Sequence, residues 1–388
     1  MEKVQNLILG AGPSGLAIAA RFKKNNIPYV ILEKSNRAGF MWTQHYERLH
    51  LHTLKEHSAL PYLPFPDDCP DYAPRNQVAE YLANYAAEMD IEPRYNTTVK
   101  WIEKSGNGWK VETDNGNFHA DNVVVAIGQN RNANKPTWKG IESFEGEIVH
   151  TKDYRNAKAY KGKKVLVIGI GNTGAELALE MVECEAESFV SVRRAINVIP
   201  REIFGRSYQL SAITMEKVPD VISDFIGRTV QKIVVGDLSK YGLGKPTMAP
   251  AKQMRLYRKT PLIDIGTIDE IKKGNIKVLP DVKSFGQNTV HFVDGQELPF
   301  DAVILATGYR RDLDKILENA TDITDNNGFP KTWEFPKTHP GLYFLGYMEF
   351  NSGLLRAVNI ISDWILKSVQ KRSKTLPKPV NTAKLLVD

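Results

Sequence analysis

Cysteine is almost missing from this chain of 388 residues: there are two, Cys69 and Cys184, far apart and in no CxxC pair. Their scarcity excludes a disulfide framework and the usual dithiol redox motif, and it fits a reducing cytoplasm. No apolar run approaches the roughly 20 residues that cross a bilayer. No dense Lys/Arg run marks a nucleic-acid patch. Neither a membrane nor a nucleic acid is therefore an expected partner; a homodimer is the assembly considered, and the sequence leaves the oligomeric state open. The apolar start Val4–Gly15 is not read as a signal peptide, because it runs straight into a glycine motif. The rest is ordinary for a soluble globular protein: 42% hydrophobic, 25% charged, net charge +6. The modest positive excess suits an anionic cofactor. The length is too great for one ordinary domain.

The pattern that is present begins at once. A short apolar strand, Asn6–Leu9, leads into Gly10-Ala11-Gly12-Pro13-Ser14-Gly15, then a helix-like run to Lys24, then a second strand ending at Glu33. This strand, turn, helix, strand unit is the context that gives a glycine motif meaning. Gly10 allows the tight turn, Gly12 lets backbone approach a pyrophosphate, and Gly15 lets the helix pack on the strand. Glu33 is placed to accept from an unphosphorylated adenosine ribose.

The unit recurs mid-chain. A strand over Lys164–Ile168 enters Gly169-Ile170-Gly171-Asn172-Thr173-Gly174, and the position equivalent to Glu33 holds Val192, followed by Arg193 and Arg194. Two guanidinium groups and no acid there predict a 2′-phosphate, hence NADPH. Two dinucleotide sites in one chain imply hydride transfer from a pyridine nucleotide to a flavin, so FAD is assigned to the first site. Where the electrons go next stays open at this level: to oxygen inserted into a substrate, or to a partner in a reductase that inserts none.

The fold expected is α/β, two interleaved Rossmann-like domains of three layers. The FAD domain takes residues 1–158 and 296–388, and the NADPH domain, 159–295, is inserted into it. Asp114-Asn115-Gly116 and Asp294-Gly295 predict hairpin turns. The stretch 203–261 breaks the α/β alternation and reads as a helical excursion over the active site. Leu354–Lys371 reads as an amphipathic core helix, and the tail from Ser373 is polar with little to bury.

Between the two units lies Phe144-Glu145-Gly146-Glu147-Ile148-Val149-His150-Thr151-Lys152-Asp153-Tyr154. The spacing of Phe144, Gly146, His150 and Tyr154 resembles the FxGxxxHxxxY fingerprint of the flavin-containing monooxygenases and their Baeyer–Villiger relatives. The resemblance extends over nearly the whole chain and is closest to the YUCCA-type branch, through Tyr46–His52, Val192-Arg193-Arg194, Ile199–Glu202 and Gly353-Leu354-Leu355. It implies an FAD-containing monooxygenase that uses NADPH and O2, works through a C4a-(hydro)peroxyflavin and needs no side-chain nucleophile. It also implies that the fingerprint is a linker, and that Lys34, Met41, Trp42, Arg48, Val99, Gly128, Leu354 and Leu355 join the glycine motif and Glu33 around FAD. Ala306-Thr307-Gly308-Tyr309 would join the NADPH site. His52, Thr53 and Lys55 are expected to position substrate and flavin.

Amine-oxidising relatives have an Asn where this chain has His52, and the YUCCA branch usually has Pro where it has Leu54. The substrate is thus left between a 2-keto acid such as indole-3-pyruvate and a soft nitrogen or sulfur centre. His45, His50, His52 and His57 crowd one region, with His50 and His52 on one face of an expected strand. No accompanying Cys or carboxylate set completes a metal-binding spacing, so no metal is expected.

Overall fold

The computed structural model describes residues 1–374. The polar tail anticipated from Ser373 lies, from 375 on, outside the described residues. In chain order the elements that position the site are β1 (Glu2–Leu9), α1 (Pro13–Lys24), β2 (Val30–Leu32), α2 (Arg75–Glu88), β3 (Val99–Ser105), β4 (Gly108–Thr113) and β5 (Gly116–Val125). Next come β6 (Glu147–His150), β7 (Lys164–Ile168), α3 (Asn172–Glu183) and β8 (Glu187–Ser191). Helices α4 (Tyr208–Met215), α5 (Asp220–Val234) and α6 (Pro250–Tyr257) follow, then β9 (Ile276–Leu279), β10 (Ala302–Leu305), β11 (Leu342–Phe344) and α7 (Leu354–Ser373).

Two sheets result. The first runs β2-β1-β5-β4-β3, and β11 pairs in parallel with the end of β5. The second is wholly parallel, β9-β8-β7-β10-β6. Leu7, Ile8 and Leu9 in β1 and Val165, Leu166 and Val167 in β7 are completely buried. That is why these strands read as continuous apolar runs rather than alternating ones: helices or strands cover both faces. Helix α7 buries Leu355, Val358, Ile361 and Ile365 in the same apolar core as Leu16–Ala20 of α1. Arg21 of α1 crosses over to Asn359 and Ser362 and holds the two helices in register. Both hairpins form at the turns read from sequence, with Thr113 opposite Gly116 and His291 opposite Glu297.

Sheet membership differs from the boundaries drawn at 158/159 and 295/296. Strands β6 and β10 both lie outside 159–295, yet they hydrogen-bond into the second sheet. The reason is steric and is the same in both units. In each, a later strand lies beside the first strand, so that the carbonyl just past its end backs onto the opening glycine. A Cβ on Gly10 would fall 2.7 Å from the Ala126 oxygen, and one on Gly169 would fall 2.7 Å from the Ala306 oxygen. Strand β10 therefore belongs with β7, as β5 belongs with β1.

The fingerprint residues fasten β6. Phe144 is buried and packs edge-on against Phe285. His150 accepts from the Lys152 amide at Nδ1 (3.0 Å), so its proton sits on Nε2 and points to the Gly308 carbonyl at 3.2 Å. Burial lowers its pKa and keeps it neutral. Tyr154 donates to Glu180 of α3 at 2.8 Å. A Cβ on Gly146 would sit 2.5 Å from the Phe144 ring and 2.8 Å from the Asp301 oxygen. Gly146→Ala is accordingly expected to cost on the order of 1–3 kcal/mol through overpacking. Denaturant unfolding checks this, and unchanged stability would show that the close packing around Gly146 is not required.

Candidate cofactor and substrate site

A cavity of about 470 Å³ lies between the two units. Of the first glycine turn, Gly10, Gly12, Pro13 and Ser14 line it, while Gly15 lies beneath, where an added Cβ would meet the Gly10 carbonyl at 1.8 Å. A Cβ on Gly12, by contrast, would meet nothing within 4 Å. The free space over Gly12, at the N-terminus of α1, is the cradle a pyrophosphate needs. The second turn repeats this: a Cβ on Gly174 would meet the Gly169 carbonyl at 1.9 Å, and one on Gly171 would meet nothing within 4 Å. Asn172 and Thr173 carry the second turn into the same cavity. On these observations the residues present fit two dinucleotides.

Glu33 is fixed at the cavity edge, accepting from the Ala11 amide at 2.7 Å and from the Ser35 amide at 2.9 Å. Lys34, Met41, Trp42, Val99, Gly128, Leu354 and Leu355 also line the cavity. Burial, together with the charge of Arg131, lowers the Lys34 pKa; both residues border the cavity. Tyr309 reaches the cavity with its ring edge-on to His150. Behind it, Ala306 donates its amide to Ile168, and the Thr307 hydroxyl donates to Asn134. The ATGY segment thus touches both units.

Besides Gly15, two of the residues expected around the flavin and substrate, Lys55 and Arg48, do not line the cavity. The Lys55 ammonium is held by the carbonyls of Cys69 (2.5 Å) and Asp67 (2.9 Å), so it closes the 66–69 loop instead of meeting a substrate. Arg48 turns to Glu183 at the end of α3 and ties the units together. The segment bearing His50 and His52 is also not a strand but a bent loop. His50 is exposed and folds back on the Arg48 carbonyl, whereas His52 faces the cavity and engages Glu176. Thr53 lines the cavity too, with its hydroxyl 2.8 Å from that of Ser58. Among the described residues no group of three His, Cys, Asp or Glu side chains is placed to hold a metal.

Sequence reasoning missed three residues. Glu176 on α3 is 2% exposed and receives both His52 and the Tyr46 hydroxyl (2.9 Å) from the first unit. Its position two residues beyond Gly174, on the inward side of a helix, was the available signal. Gln209 on α4 accepts from the Leu54 amide and donates to the Ser352 carbonyl, both at 2.7 Å, so the helical excursion is anchored to the FAD side. Lys259 lies close enough to Arg194 and Arg193 that, after burial, their charges are the main causes lowering its pKa. Both arginines are exposed, just beyond the end of β8.

A model of the family "Flavin-binding monooxygenase-like" matches residues 3–386. The chain belongs to this family. It is 38% identical to the probable indole-3-pyruvate monooxygenase YUCCA3 of Arabidopsis thaliana, over 88% of this chain and 81% of that protein. Its fold is that of the flavin-containing monooxygenase from Stenotrophomonas maltophilia, with a TM-score of 0.72 at 21% identity, covering 96% of this chain and 100% of that one. A bacillithiol disulfide reductase from Staphylococcus aureus also shares the fold, with a TM-score of 0.65 at 17% identity, covering 95% of this chain and 99% of that one. The fold therefore does not choose between oxygenase and reductase, whereas the family does: this is a flavin-dependent monooxygenase. No helix among the described residues is long and apolar enough to cross a membrane.

One side chain of the cavity wall has a pH signature. Burial, reinforced by Arg75 and Arg155, pushes the His45 imidazole down to about 4. An unfolded chain takes up this proton near pH 6.5. The stability contributed by neutral His45 is therefore complete above about 6.5 and is lost as pH falls toward about 4, at up to about 1.4 kcal/mol per pH unit. His45→Asn is expected to flatten the acid limb of the stability curve over that window. Identical limbs for the two proteins would show that His45 titrates normally.

Proposed function

We propose that this flavin monooxygenase oxygenates a 2-keto acid of the indole-3-pyruvate type in the cytoplasm. The observation that carries the proposal is a second, mostly apolar chamber of about 830 Å³ under α4, α5 and α6, which shares Tyr208, Met254, Glu349, Phe350 and Asn351 with the cofactor cavity. An apolar ring system fits such a chamber, and the YUCCA relatives are named for indole-3-pyruvate. The free cysteines Cys69 and Cys184 give no dithiol through which a reductase would pass electrons.

In this reading Gly12 and the start of α1 receive the FAD pyrophosphate, and Glu33 the adenosine ribose. Gly171 and the start of α3 receive the NADPH pyrophosphate, while Arg193, Arg194 and Lys259 surround the 2′-phosphate. When bound, the two cofactors supply hydride transfer and oxygen activation. The chain's own work is to orient and to exclude water: Trp42, Tyr208 and Leu354 wall the cavity. His52, held by Glu176, presents a fixed ring to the cavity rather than a free base.

Two outcomes test these assignments. The double variant Arg193→Ala/Arg194→Ala should lower kcat/KM for NADPH by about 10- to 100-fold while leaving NADH nearly unchanged, because charge-assisted phosphate contacts are lost. Equal losses with both nucleotides would contradict the 2′-phosphate assignment. Product analysis with indole-3-pyruvate and with a simple thioether should give indole-3-acetate and CO2 from the first. Sulfoxide alone, with no decarboxylation, would overturn the keto-acid reading.

A further inference from the structure

Helix α5 (Asp220–Val234) has no buried residue at all. Val221 is 82% exposed, Phe225 71%, Ile233 75% and Ile222 51%. At about 100° per residue these four side chains, with Thr229, Arg228 and Lys232, fall in one sector roughly 140° wide. The opposite side, Ser223, Gly227 and Val230, lines the apolar chamber. Asp220 and Asp224 point away from the exposed sector, toward α6, where both pair with Arg255. The outward face therefore combines large apolar groups with two cations and no carboxylate. At the rim of the same chamber Phe204, at the tip of a two-strand hairpin, is 97% exposed.

Charge is concentrated in the same region. Residues 203–261 hold ten Lys and Arg against four Asp and Glu, and this surplus is the whole +6 of the chain. Among the described residues, Arg228 and Lys232 have no carboxylate partner; the acids of α5 are taken by Arg255.

We propose that α5 is an interfacial docking helix that seats this enzyme on an anionic phospholipid surface, without spanning it. An apolar sector flanked by cations on a convex helix suits a bilayer, where the side chains enter the headgroup boundary and the cations meet lipid phosphates. A second copy of the chain fits less well, because a face-to-face contact sets Arg228 and Lys232 against the same charges and offers no carboxylate to receive them. Docking there leaves only α5 between the apolar chamber and the membrane, the phase in which apolar molecules concentrate.

The test is sedimentation of the full-length, FAD-loaded protein with vesicles of equimolar phosphatidylglycerol and phosphatidylcholine, and with phosphatidylcholine alone, beside light scattering for oligomeric state. Wild-type protein should bind the anionic vesicles at low salt, bind the neutral ones far less, and release at about 0.5 M salt as screening sets in. Val221→Asp/Phe225→Asp should weaken vesicle binding by about tenfold or more. Arg228→Ala/Lys232→Ala should weaken binding only to anionic vesicles. Flavin absorbance per protein serves as the folding control and should be unchanged in both variants. Failure of the wild type to bind anionic vesicles overturns the proposal, as does undiminished binding by the folded Asp variant. A wild-type dimer that ignores vesicles and becomes monomeric in the Asp variant also overturns it, and assigns the face to a second copy.

Discussion

Everything in this structure hangs on backbone packed against backbone at two glycine turns. Gly15 rides on the Gly10 carbonyl, and Gly10 in turn backs onto Ala126; Gly174, Gly169 and Ala306 repeat the arrangement. Such contacts leave no room for a side chain, so they fix helix, first strand and neighbouring strand as one rigid corner. The same corner leaves Gly12 and Gly171 open above the helix N-termini. Steric exclusion below the turn and free space above it are two sides of one constraint, and each produces a nucleotide cradle.

Two cradles make an enzyme only if they face each other, and α3 sets that relation. Its N-terminus forms the second cradle, while its flank is held by the first unit through Tyr46 and His52 on Glu176 and through Arg48 on Glu183. Tyr154 of the fingerprint segment adds a bond to Glu180, whose carboxyl burial pushes up in pKa. A buried carboxylate satisfied by a phenol and an imidazole is an exacting joint, because loss of either partner leaves a polar group without compensation. His52 is thus structural and cavity-facing at once.

Glycine geometry made much of this legible in the sequence. The turns, the two cofactors, the hairpins, the helical excursion and the core helix α7 all follow from local rules. Partnerships between distant residues could not be read. The placement of β10 beside β7 depends on long-range pairing, and the apolar run ending at Gly308 looks the same as the run ending at Gly128. Lys55 resembled a site residue until the carbonyls of Asp67 and Cys69 were seen to hold it. His50 and His52 looked co-facial until the loop bent between them. Lys259 had no local signal linking it to Arg193 and Arg194, more than 60 residues earlier in the chain.

The most direct test of the central claim, that two facing cradles serve oxygen insertion, is isotopic. NADPH-driven turnover of indole-3-pyruvate under labelled O2 should place one labelled oxygen atom in each molecule of organic product per NADPH consumed. Sustained NADPH oxidation that leaves the product unlabelled, with electrons recovered in hydrogen peroxide or a reduced acceptor, would contradict it and return the protein to the reductases that share its fold.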